Sequence, residues 1–191
     1  MRKTRRTVFF RRKRQGKTDY KKRLGMLKSG KHRLVIRKSL MNTYVQVVEY
    51  DPDGDKVIAA ASTKELKKLG WKFATSSVPA AYLAGLLCAK KAKLSKEAIL
   101  DAPPFAGLAK GCRIYSALKG AIDGGLKVNA SEEIFPSQDR ITGKHIAEFA
   151  KSIAGSEKYS RQFSQCLKQG VKPEDFVKYF DEIKSKIAGL K

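Results

Sequence analysis

Apolar and polar residues alternate through RLVIRKS (33–39), with Leu34 and Ile36 on one side and Arg33, Val35 and Arg37 on the other. That is the period of a strand buried on one face. TYVQVVEY (43–50) is β-branched and aromatic, DPDGD (51–55) reads as a turn, and VIAAAS (57–62) returns as a third strand. Together they predict an antiparallel meander. Ser62 or Thr63 is placed to cap a short helix, KELKKLG, which Gly70 closes.

The period then lengthens. A helix is predicted from about Pro79 to Lys91, with proline in its first turn and Leu83, Leu86 and Leu87 at helical spacing. AILD (98–101) is a short buried strand. In CRIYSALKGAIDGG, Ile114, Leu118 and Ile122 recur every fourth residue until Gly124 and Gly125 stop the helix. The tail reads as helices over HIAEFAKSI (145–153), EKYSRQFSQCLKQG (157–170) and a last one opened by Pro173, whose first turn carries Glu174 and Asp175 on the favourable side of the dipole. Phe176, Phe180, Ile183 and Ile187 form one apolar stripe on it, suited to packing on its own body or on a neighbour. The predicted fold is α/β: a mixed β-sheet in the order β-β-β-α-α-β-α, with an extended basic arm before it and a helical extension after it. The expected division is arm 1–32, core 33–140 and extension 141–191.

Charge changes this picture most. Met1 to Lys38 hold 17 Lys or Arg and a single acid, Asp19, whereas residues 39–139 carry 13 bases and 11 acids. The net charge of +23 is therefore concentrated in the arm. Self-repulsion predicts an extended segment in isolation, and its natural partner is a polyanion, bound with release of condensed counterions. Val8, Phe9, Phe10, Tyr20, Leu24 and Leu27 interleave with the bases. A purely electrostatic tail has no use for rings, which stack on unpaired bases.

Enzymatic motifs fail on inspection. GMLKSGKH (25–32) has His32 where a phosphate-binding loop needs a hydroxyl, and it precedes a strand rather than a helix. DPDGD lacks the bidentate twelfth ligand of a calcium loop, Ser62 standing there. His32 and His145 have no nucleophile or metal partner in sequence and are expected at the surface or on RNA. A β-β-β-α-β-α order also suits a two-metal nuclease with Glu65 and Asp101 as ligands, but the first strand offers Arg33 and Arg37 where a carboxylate is required. Cys88, Cys112 and Cys166 are scattered and odd in number, which argues against disulfides and zinc and for a reducing cytosol. No apolar run approaches the roughly 20 residues of a membrane span. No enzymatic activity, cofactor or metal is expected.

In order, RLVIRKS, TYVQVVEY, AAASTKELKKLGW, PAAYLAGLL, GCRIYSALKGAIDGGL and SEEIFPSQDRITGKHIAEF make the chain similar to the large-subunit ribosomal protein that binds 5S rRNA. This is the L-eighteen family of archaea, called L-five in eukaryotes; the resemblance runs over about residues 5 to 150, and the length suits the archaeal form. It implies a structural constituent of the large ribosomal subunit in the cytoplasm, binding 5S rRNA and bridging it to large-subunit rRNA in the central protuberance, beside neighbouring ribosomal proteins. The arm then contributes Arg5, Arg6, Arg11, Arg12, Lys13, Arg14, Lys17, Tyr20, Lys21, Lys22 and Arg23 to RNA. Lys28, Lys31, His32, Arg33, Arg37 and Lys38 continue that surface. Asn42 and Gln46 are expected on 2′-hydroxyls or base edges, and Ser62, Thr63 and Lys64 on phosphate. On this reading Arg33→Ala or Arg37→Ala costs RNA affinity and little thermal stability. The loop APPFAGLAKG and Ala130, where archaeal relatives often have His, depart from the family, and Phe105 is expected against a protein neighbour. The alternative reading is a sequence-indifferent nucleic-acid coating protein.

Overall fold

The computed structural model describes residues 7–93, 97–103 and 108–190, so Arg5, Arg6 and Phe105 lie outside the described residues. Three antiparallel-linked strands come first: β1 (His32–Lys38), β2 (Thr43–Glu49) and β3 (Lys56–Ser62). The helix α3 (Val78–Ala92) then crosses to β4 (Glu97–Asp101), which lies parallel to β1. After α4 (Arg113–Asp123) comes β5 (Lys127–Val128), parallel to β4. The sheet is mixed, in the order β3-β2-β1-β4-β5. The predicted strand order holds, and β5 is an addition: two residues are too few to show a period.

Inward-facing Leu34, Ile36, Val45, Val47, Ala59 and Ala61 are buried against α3 and α4. These two helices approach each other through small residues. A Cβ on Gly85 would stand 2.0 Å from the Ala117 carbonyl oxygen, and one on Gly120 would stand 2.0 Å from the Tyr82 carbonyl oxygen. Only glycine permits that backbone contact. Pro79 sits in the first turn of α3 as the sequence predicts, and the structure adds the cap: the Ser77 hydroxyl accepts from the Ala80 N–H.

The segment after β3 is a 3-10 turn, Glu65–Leu69, closed by Gly70 in the left-handed conformation. Neither candidate hydroxyl caps it as expected. Thr63 Oγ1 accepts from the Thr43 N–H at 3.0 Å, so it ties β2 to β3, and Ser62 Oγ accepts from the Lys64 N–H just ahead of the turn.

The tail folds as α5 (Gln138–Thr142), α6 (Lys144–Ser152), α7 (Glu157–Gln162), α8 (Ser164–Lys168) and α9 (Phe176–Ala188). The single helix expected over 157–170 is broken at Phe163, which turns inward and is buried. The stripe on α9 packs on its own body. Phe176 lies 4.5 Å from Phe73 and 5.3 Å from Trp71 between ring centroids, and Phe180 lies 5.8 Å from Tyr82 on α3. Phe176, Phe180, Ile183 and Ile187 are each 2% exposed or less and belong to the same core as the sheet.

Phe180→Ala is therefore expected to lower unfolding stability by about 3–5 kcal/mol, read as a shifted urea midpoint. A loss under about 1 kcal/mol would mean that α9 does not seal this core.

Candidate nucleic-acid interface

One face of the sheet carries no α3 or α4. Its residues follow from the register: Arg33, Val48 and Val57 at one end, Val35, Gln46 and Ala60 in the middle, and Arg37, Tyr44 and Ser62 at the other. Ile99 and Asp101 of β4 share this face. The basic arm lies over the first end. It is folded there rather than extended, as α1 (Arg11–Arg14) and α2 (Tyr20–Lys28). Asp19, the one acid of the arm, accepts from the Lys21 and Lys22 N–H groups and so caps α2, offsetting part of the local repulsion. Met26 turns down from α2 and is buried.

Between α2 and the sheet runs a cleft of about 250 Å³, lined by Arg12, Lys17, Lys22 and Arg23 on the arm side and by Val35, Arg37, Gln46 and Val48 on the sheet side. Its floor is an ion network. Arg33 donates to Asp101 at 3.1 Å and to Asp55 at 2.5 Å; Arg37 donates to the same Asp101 at 2.8 Å and to its backbone oxygen at 2.5 Å; Arg23 of α2 reaches Asp55 at 2.9 Å. Three guanidiniums against two carboxylates leave the network cationic. For Asp55, partial burial pushes its pKa upward, but the hydrogen bonds and charges of Arg33 and Arg23 outweigh burial and hold it below the ordinary carboxylate value of 3.8.

The expected RNA residues divide accordingly. Arg11, Arg12, Lys13, Arg14, Lys17, Tyr20, Lys21, Lys22, Lys28, Lys38 and Lys64 are exposed. Lys31 is exposed and paired with Glu97 at 2.6 Å. Arg23, Arg37, Asn42 and Gln46 are half-buried. Four expectations are corrected. Arg33 is 3% exposed, with its two terminal nitrogens on Asp101 and Asp55, so in this conformation it supports the floor rather than standing at the surface. His32, Ser62 and Thr63 are buried too, because β1 is central and the β2–β3 junction closes over the hydroxyls. The sequence reading missed Asp55 as a structural anion and treated Asp101 only as a metal-ligand candidate. Asp101 instead neutralises two arginines, and Glu65 pairs with Lys91 at 2.5 Å. Nothing in the local pattern marks a carboxylate whose partner lies 68 residues away.

Cations without an acidic partner among the described residues, gathered along α1 and α2 with Arg23 the exception, define the class: a protein whose free face suits a polyanion. Comparison with known proteins gives that class a family. The model of the ribosomal large subunit proteins 60S L5 and 50S L18 matches residues 4–103. Among curated proteins, the large ribosomal subunit protein uL18 of Ignicoccus hospitalis is 49% identical over 183 residues, covering 93% of this chain and 88% of that protein. The chain belongs to this family and is a structural constituent of the large ribosomal subunit, with rRNA and ribosomal proteins as its partners.

Arg33→Ala leaves Asp101 and Asp55 short of their main counter-charge and is expected to cost about 3–5 kcal/mol of stability in urea unfolding, contrary to the surface role expected from the strand pattern. A midpoint unchanged from wild type would overturn the structural role. Because the folded Asp55 value is depressed, the stability it contributes is fully present above 3.8 and is lost as pH falls through its lower folded value. Asp55→Asn should therefore flatten the acid limb of a stability-against-pH profile, and an identical limb in both proteins would refute the pairing.

Proposed function

We propose that this protein binds 5S rRNA and links it to large-subunit rRNA in the central protuberance, the arm supplying the phosphate contacts and the sheet face the register. The observation that carries the reading is the row of exposed bases on the arm, Arg11, Arg12, Arg14, Lys17, Lys21 and Lys22 among them, which form no ion pair among the described residues and have a single acid, Asp19, beside them in sequence, whereas residues 39–139 carry 13 bases and 11 acids. Unpaired cations in such density raise the energy of the free protein by mutual repulsion, and phosphates relieve it. Arg and Lys differ in role there. Arginine forks suit bidentate phosphate contact and stacking, whereas lysines act as point charges.

Folding of α2 against the sheet also lowers the cost of binding. Ordering a free segment costs roughly 1–2 kcal/mol per residue, and residues already held by the Asp19 cap, Met26 and the Arg23–Asp55 pair no longer incur it in full. Family membership supports the rRNA partner over a generic polyanion.

If about 8 phosphates are neutralised, the logarithm of 5S rRNA affinity should fall with log salt at a slope of about −6 to −7. Excess tRNA or duplex DNA should compete poorly. A slope near zero would end the electrostatic basis of the reading, and equal competition would favour a sequence-indifferent coating protein.

A further inference from the structure

Tyr44 makes no ring pair and no side-chain hydrogen bond among the described residues. Its side chain stands on the helix-free sheet face and the residue is 44% exposed. No cation among the described residues stands over its ring. Four other tyrosines show the contrast, and Tyr115 is partly buried against the core. Tyr20 stacks on Phe10, Tyr179 on Phe73, Tyr82 donates to Asp123, and Tyr159 donates to Glu174. Tyr50 is also exposed, but it sits between Glu49 and Asp51, a poor place for an anion.

The surroundings of Tyr44 are of the opposite kind. In the register it lies opposite Arg37 on β1 and Ser62 on β3, with Gln46 two residues along on the same face. Arg37 is held by Asp101 and by the backbone oxygens of Ile36 and Asp101, yet its side chain remains 38% exposed. Its guanidinium is thus fixed without being hidden. Asp101, the nearby acid, is neutralised from two sides. Lys38 and Lys64 are exposed at the same end of the strands. Among the described residues the arm lies over the Arg33 end of the face, its cleft reaching Arg37 and Gln46, and Tyr44 lies outside that cleft.

We propose that Tyr44 is a stacking platform for one unstacked nucleobase of the bound rRNA, with Gln46 and the clamped Arg37 reaching its edge or ribose and Lys38 and Lys64 the flanking phosphates. An aromatic ring beside a fixed guanidinium and an amide, on a surface free of net negative charge, has the composition of a single-strand base site. The proposal rests on the rRNA reading and adds to it a place where the RNA must be unpaired.

The test is 5S rRNA affinity of Tyr44→Ala, Tyr44→Leu and Tyr44→Phe beside an arm variant, Lys21→Gln/Lys22→Gln. Tyr44→Ala and Tyr44→Leu should each weaken binding about tenfold with an unchanged salt slope, since no phosphate contact is lost. Tyr44→Phe, which keeps the ring, should bind within about twofold of wild type. The arm variant should lower both affinity and slope. If the alanine and leucine variants bind like wild type while the arm variant weakens, the stacking site is wrong and rRNA binding stands. If the arm variant is also unaffected, the reading beneath it fails. Ultraviolet cross-linking of the wild-type complex gives a measure independent of any variant's folding: an RNA adduct on Tyr44 is expected, and adducts confined to the arm would overturn the proposal.

Discussion

Arg33 is a guanidinium buried on the central strand at one end of a sheet face, and what the molecule presents on that side depends on the two carboxylates that hold it. A charge in such a place is costly unless paired with good geometry. Asp101 arrives from the end of a parallel strand and Asp55 from the turn before β3, so the pairing is satisfied only when the sheet is complete. Each carboxylate then has a second arginine. Asp101 takes Arg37 and fixes it at the Tyr44 end of the face, while Asp55 takes Arg23 and holds the arm at the other. One buried charge thereby sets the position of two half-exposed ones.

On the reverse side of the same strands the constraint is steric. Gly85 and Gly120 bring α3 and α4 into backbone contact, and the inward-facing rows of β1, β2 and β3 pack against that pair. The C-terminal helix completes the packing through Phe176 and Phe180, which meet Trp71, Phe73 and Tyr82. Apolar burial is thus concentrated on one side of the sheet, and the other side is free to carry cations and polar groups. A sheet covered on both faces could offer no such surface. The division of labour between faces is what allows a small body to be stable and still carry a large uncompensated positive charge.

The arm fits this scheme more closely than its charge suggests. A segment with 14 bases and one acid in its 32 residues reads as a repelling, extended chain. Yet the single acid caps a helix, and a methionine and an arginine dock that helix on the sheet. Part of the ordering that RNA binding needs is already present, which leaves more of the phosphate interaction to appear as affinity.

The residue pattern determined the three-strand meander, α3 with Pro79 in its first turn, α4, the helical character of the tail and the stripe on α9, because a face buried on one side leaves a repeat of two or about four in the residues themselves. Charge placement likewise marked the arm as the segment suited to a polyanion, since unbalanced charge is a property of composition. Tertiary structure decided which cations are free to do so. Arg33 and Arg11 look alike in sequence, but one is locked beneath the sheet surface by acids far along the chain and the other stands in solvent. It also decided that Thr63 binds a neighbouring strand, that the 157–170 helix breaks at Phe163, and that the Tyr44 side chain has no partner among the described residues. Burial and long-range pairing arise only when distant segments meet, so no local pattern can carry them.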